Sequence, residues 1–133
     1  MKRSIITVLC VASLIVAGFA FASGMTAPTN TPELKRVIGA NSKATLIFFQ
    51  NPNGGPCKIQ KEVLDKLKSD RKGNFNIAVV STTRQEDQRA FYDYGIRSLP
   101  SLVLVDKNGK IARVFAPGIQ NAETLTTALD GLK

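Results

Sequence analysis

A chain of 133 residues, 44% of them hydrophobic, has material for one domain and a short appendage, not for two separate cores. It contains no histidine, which excludes Ser-His and Cys-His catalysis. Its net charge of +8 is spread out: in the densest basic group, Lys58, Lys61, Lys66, Lys68, Arg71 and Lys72, the acids Glu62, Asp65 and Asp70 are interleaved, so a solvated helix face is expected and no nucleic-acid partner.

The appendage comes first. Met1-Lys2-Arg3 is a basic start, and an uncharged run from Ser4 to Ala22 follows, ending in Ala20-Phe21-Ala22. This is the pattern of a secretory signal peptide over residues 1–22, cut after Ala22, and it implies an exported, periplasmic or otherwise extracytoplasmic protein. The alternative is an uncleaved membrane anchor, since the run just reaches the roughly 20 residues of a bilayer span. Gly18 weakens a continuous helix and favours cleavage. Cys10 lies inside the run, so cleavage leaves Cys57 as the sole cysteine and no disulfide within one mature chain. With Cys57 and Met25 as the only sulfur ligands left, neither a transition-metal site nor a metal cofactor is expected.

Ser23 to Asn30 reads as a flexible polar linker, and a single domain over residues 31–133 follows. Thr31 is placed as a helix cap with Pro32 at the first helical position, Leu34, Val37 and Ile38 on one face, and Gly39 as the stop. Ala44 to Gln50 is near-continuously apolar, as a strand covered on both faces should be. It breaks at Asn51-Pro52-Asn53-Gly54-Gly55-Pro56, and a helical pattern runs from Cys57 with Ile59, Val63, Leu64 and Leu67 on the apolar side. Phe75 to Ser81 is a second buried strand. Thr83 to Glu86 has the form of a capping box, before a helix carrying Ala90, Phe91 and Tyr94 and closed by Gly95. Ser101 to Val105 and Ile111 to Ala116 form a hairpin around Asn108-Gly109. Asn121 caps a last helix with Leu125, Ala128, Leu129 and Leu132 on its apolar face.

The order α-β-α-β-α-β-β-α gives an α/β fold. Strand-helix-strand crossovers require parallel pairing and the closing hairpin adds an antiparallel edge, so a mixed sheet of about four strands is expected between helices on both faces. Chemistry on such a scaffold belongs at the strand-to-helix turn, where free N–H groups and the helix dipole converge. Cys57 is the lone thiol there; it reads first as a small buried hydrophobe and, in the alternative, as a group that forms mixed disulfides.

Two segments carry a resemblance. Phe49 through Lys58 is similar to the active-site segment of the thioredoxin family, in which an aromatic strand end leads to Trp-Cys-Gly-Pro-Cys-Lys. Tyr94-Gly95-Ile96-Arg97-Ser98-Leu99-Pro100-Ser101-Leu102 resembles the segment that carries the family's cis-proline. The likeness runs from about Thr31 to Leu132 and implies the thioredoxin-like three-layer sandwich, in the lineage of thiol-disulfide oxidoreductases. In that lineage Gly54, Gly55, Pro56 and Cys57 fall on the four-residue active site. Asn53, Leu99 and Pro100 fall on the substrate-binding groove, where the residue before the proline offers its backbone to an extended peptide.

The departures bear on function. Gly54 stands where the family has its attacking cysteine, Asn53 where it has tryptophan, and Cys57 takes the resolving position. Phe48 and Val79 replace a frequent buried aspartate and its lysine partner, and Glu62 a helix-kinking proline. Exchange needs one thiolate to attack a disulfide and a second thiol to release the product, and glycine can do neither. The expected function is therefore partner binding without dithiol turnover, by a monomer, with exported proteins or peptides as partners, some of them thiol-containing. One alternative is an oxidoreductase acting through Cys57 alone. Others are a dithiol enzyme in which Gly54 is an altered cysteine, and an accessory domain with no ligand.

Overall fold

The computed structural model describes residues 24–132; the leader inferred for residues 1–22, with Cys10, lies outside them. The fold is organised around β1 (Thr45–Gln50), whose side chains alternate between two cores as the two-residue period of a strand requires. Leu46 and Phe48 point into one core, with Leu64 and Leu67 of α2 (Gly55–Asp70) and Leu125 and Leu129 of α4 (Ala122–Asp130). Ile47 and Phe49 point into the other, with Leu34 and Val37 of α1 (Pro32–Val37) and Ala90 of α3 (Gln88–Asp93). Both faces of the strand are thus covered, which is why its sequence is apolar without interruption. Helices on both sides of one sheet make a three-layer α/β sandwich.

The sheet has four strands in the order β2-β1-β3-β4, where β2 is Asn76–Ser81, β3 is Ser101–Val105 and β4 is Ile111–Val114. β1 and β2 are parallel; β1–β3 and β3–β4 are antiparallel. The expected crossover pairing therefore holds for β1-α2-β2 and fails for β2-α3-β3. Between Ser81 and Ser101 the chain makes a 3-10 turn, the short α3 and the stretch from Gly95 to Pro100 without crossing to the other end of the sheet. The chain enters β3 at the end where it left β2, and β3 runs backwards.

Three local readings also shift. α2 begins at Gly55 rather than Cys57, because Gly54 serves as the cap and Pro56, whose missing N–H is free of cost in the first turn, extends the helix backwards. Its buried face is Cys57, Gln60, Leu64 and Leu67, while Ile59 is 51% exposed. The capping box at Thr83–Glu86 does not form. Thr83 bonds the Ser81 hydroxyl instead, and α3 starts after a 3-10 turn over Gln85–Asp87.

The segment read as a linker is docked onto the domain. Gly24 N–H donates to the Ile111 carbonyl (2.8 Å), Ile111 N–H to the Met25 carbonyl (2.7 Å) and Ala27 N–H to the Gly109 carbonyl (2.9 Å). Thr26 bridges Lys110 in antiparallel sense, and Ala27 is buried beside Leu34. Further on, Tyr94 donates its hydroxyl to the Pro28 carbonyl at 2.8 Å. Composition gave no hint of this, because most of the segment's own contributions are backbone groups and the one buried side chain among them, Ala27, is small.

Candidate functional site

The β1–β3 register brings the candidate residues to one end of the sheet. Phe49 pairs with Ser101, and continuing that register sets Gln50 level with Pro100. The turn Asn51–Gly54 follows from Gln50, and the Leu99–Pro100 peptide bond beside it is cis. Pro100 is buried and its carbonyl accepts the Gly118 N–H (3.0 Å), while Leu99 packs against both cores. Asn53, Gly54, Gly55, Pro56, Cys57, Leu99 and Pro100 thus share one end of the fold.

The turn is built from its asparagines. Gly54 N–H donates to the Asn51 carbonyl (2.9 Å), and the Asn51 side-chain oxygen accepts the Asn53 N–H (3.1 Å). Such short-range side-chain bonds are what asparagine contributes to turns. Asn51 N–H in turn donates to the Cys57 sulfur at 3.4 Å. Cys57 is 3% exposed and sits in the core with Leu46, Phe48 and Leu64. No second cysteine accompanies it among the described residues. A disulfide arriving from solvent cannot reach this sulfur without displacing the turn.

Gly54 lies at φ −80° and ψ 131°, a conformation open to any residue, so the backbone does not demand glycine here. A Cβ added at this position would stand 3.6 Å from the Cys57 sulfur and 3.3 Å from the Asn51 carbonyl oxygen. At Gly55 a Cβ would meet nothing within 4 Å. A side chain at position 54 therefore needs the Asn51 carbonyl to give by a few tenths of an ångström.

On the same face, Phe48 pairs in register with Val79, and both pack in the core that holds Cys57. The sites that resemble the family's carboxylate and lysine are apolar neighbours. Among the described residues no three His, Cys, Asp or Glu side chains converge as metal ligands. No helix among them is long and apolar enough to cross a membrane.

Several residues at or near this end escaped the sequence. Gln60, fully buried one turn after Cys57, makes two bonds to one residue: its amide donates to the Gln120 carbonyl (3.1 Å) and its oxygen accepts the Gln120 N–H (2.6 Å). This ties α2 to the loop after β4. A polar residue three positions from Cys57, on the inward stripe, was the available signal. Asp87 is also fully buried, accepting the Ser81 N–H (2.9 Å) and pairing with Arg84 (2.8 Å), and so fixes the exit of β2. Nothing in the local pattern marked it. Burial pushes the Tyr94 phenol well above its ordinary pKa, and the nearby Asp93 charge adds to the effect. The Asn30 amide and then Arg89, both bonded to Asp93, hold that carboxyl below its ordinary range.

Comparison with known proteins agrees with this geometry. A family model described as a thioredoxin-like domain matches residues 32–133. The chloroplastic M-type thioredoxin of Chlamydomonas reinhardtii is 29% identical over 98 residues, which is 74% of this chain and 68% of that protein. A thioredoxin of Haemophilus influenzae is 30% identical over 82 residues, 62% of this chain and 74% of that one. Among solved structures, one titled as a malarial protein superposes with a TM-score of 0.58 at 17% identity, over 66% of this chain and 94% of that one, a likeness of fold alone. With the model matching nearly the whole described domain, the chain belongs to the thioredoxin-like family.

Proposed function

We propose that this chain is an exported thioredoxin-like protein that binds extended segments of partner proteins and does not turn over dithiols. The observation that carries the reading is the pairing of Gly54, a helix cap with no side chain, with a Cys57 thiol that is 3% exposed and bonded to the Asn51 N–H. Disulfide exchange consumes one thiol in attack and a second in release. Here the half-buried position 54 has no sulfur, and the residue that has one is buried. Binding makes no such demand: the strand entry at Leu99–Pro100 lies at the same end of the sheet and offers backbone to a peptide, as strand addition requires. Export is inferred from the basic start and the apolar run ending in Ala20-Phe21-Ala22.

Insulin reduction with dithiothreitol as donor tests the redox half. The natural chain should give the rate of buffer, and Gly54→Cys should exceed it. Sustained turnover by the natural chain would instead support a one-cysteine oxidoreductase. Partner capture from an exported-protein extract, compared with a Pro100→Thr variant, tests the binding half. Loss of partners on substitution supports the groove; no partners at all supports an accessory domain without a ligand.

A further inference from the structure

Six arginines lie among the described residues, and four are neutralised within the chain: Arg36 by Glu33, Arg71 by Asp130, Arg84 by Asp87 and Arg89 by Asp93. Arg97 and Arg113 have no carboxylate partner among those residues. Arg97 lines a groove of about 510 Å³. Arg113 is not in its lining but lies over the ring of Phe115, 4.6 Å from the centroid, and Phe115 is a lining residue. The rest of the wall is largely apolar, including Ile96, Leu102, Val114 and Pro117, and it contains no acidic side chain. Val114 is 44% exposed there.

We propose that this groove takes an extended acidic segment of a partner protein, one carboxylate engaging Arg97 and its apolar neighbours resting on Val114 and Phe115. Charge complementarity is the argument. An intramolecular carboxylate satisfies every other described arginine, while of the two left over Arg97 lines a concave, largely apolar wall and Arg113 packs on one of its lining residues. A guanidinium matches a carboxylate with two parallel N–H donors, and stacking on a ring leaves the in-plane donors of Arg113 free for a second acid. Apolar walls between the two charges favour a peptide with alternating acidic and apolar side chains. The inference rests on the binding reading above and names its partner class, since Ser98 and Ser101, which bracket Leu99–Pro100, also line the groove.

The test uses the full chain and three pools of fluorescent nonapeptides with randomised Val, Leu, Ile and Phe at alternate positions. The remaining positions are Glu/Asp in one pool, Gln/Asn in the second and Lys in the third. Anisotropy should show the acidic pool binding at least about tenfold tighter than the amide pool, as a charge-assisted bond predicts. That margin should shrink with added salt. Arg97→Gln should cut the margin most and Arg113→Gln less, and the double variant should abolish it. Equal binding of acidic and amide pools, or a margin unchanged in Arg97→Gln, overturns the inference. If amide-pool binding is then still lost in Pro100→Thr, the binding function stands without the acidic preference. If no pool binds, both fall.

Discussion

The Cys57 sulfur lies 3.6 Å from where a Cβ on Gly54 would be, with α2 already capped in a conformation that accepts a side chain. In a disulfide that separation is about 3 Å, given an S–S bond near 2.05 Å. A shift of a few tenths of an ångström closes the difference. Gly54→Cys is therefore expected to cross-link to Cys57 on oxidation. Mass spectrometry of the unreduced protein would show the peptide containing both residues lighter by its two thiol hydrogens. A peptide of full mass after exposure to oxidised glutathione would mean that the turn cannot accommodate the bond.

Gln60 is the polar residue on which the far side of the site depends. Gln60→Leu leaves the Gln120 N–H and carbonyl without their partners. The expected cost is about 2–3 kcal/mol, the range for stranding buried polar groups. Urea unfolding should show a lower midpoint with an unchanged slope. A loss below about 0.5 kcal/mol would mean that water replaces both bonds.

The core beside Cys57 is closed to charge. Phe48 is 1% exposed in a largely apolar core, so Phe48→Asp buries a carboxylate there. It should cost more than about 3 kcal/mol. Val79→Lys, in register across the strands, should recover part of that loss in the double variant. A double-mutant cycle with no coupling would show that the two positions do not meet.

Tyr94 and Asp93 set opposite pH limits. The Tyr94 phenol titrates higher folded than unfolded, so its contribution is complete below about pH 10 and is lost as pH rises towards the folded value. Asp93 titrates lower folded, so its contribution is present above about pH 4 and is lost as pH falls through the folded value. Thermal melts of Tyr94→Phe should lose the alkaline decline seen in the natural chain between about pH 10 and 11.5. Melts of Asp93→Asn should lose part of the acid one. At neutral pH Tyr94→Phe should also cost about 1 kcal/mol for the bond to Pro28.

Elements whose signal is local and repeated were legible in the sequence. The unbroken apolar run of β1, the cap at Thr31 and the one at Asn121 are accounted for by neighbouring residues, and the cap side chains accept the Leu34 and Thr124 N–H groups as their chemistry requires. What was not legible depends on partners far along the chain. Gln60 looks like one more surface residue until Gln120 is placed against it, sixty residues on. Asp87 accepts the Ser81 N–H and Thr83 turns to the Ser81 hydroxyl, a pairing that the local pattern at Thr83–Glu86 does not show. The reversal of β3 depends on the path of the long connection from Ser81 to Ser101, which periodicity does not fix. At the site itself the order of residues identified Gly54 and Cys57, but not the burial of the thiol or the bond from Asn51 that holds it.

The docking of Gly24–Ala27 along Gly109–Ile111 also bears on self-association. An open sheet margin is a template on which a second copy can polymerise. Here residues 24–27 occupy the start of that margin with three backbone bonds, reinforced by Lys110 reaching the Thr26 hydroxyl. A protein shortened to begin after Ala27 would keep most of its core but lose this guard. Its first symptom should be aggregation on concentration rather than a lower melting temperature.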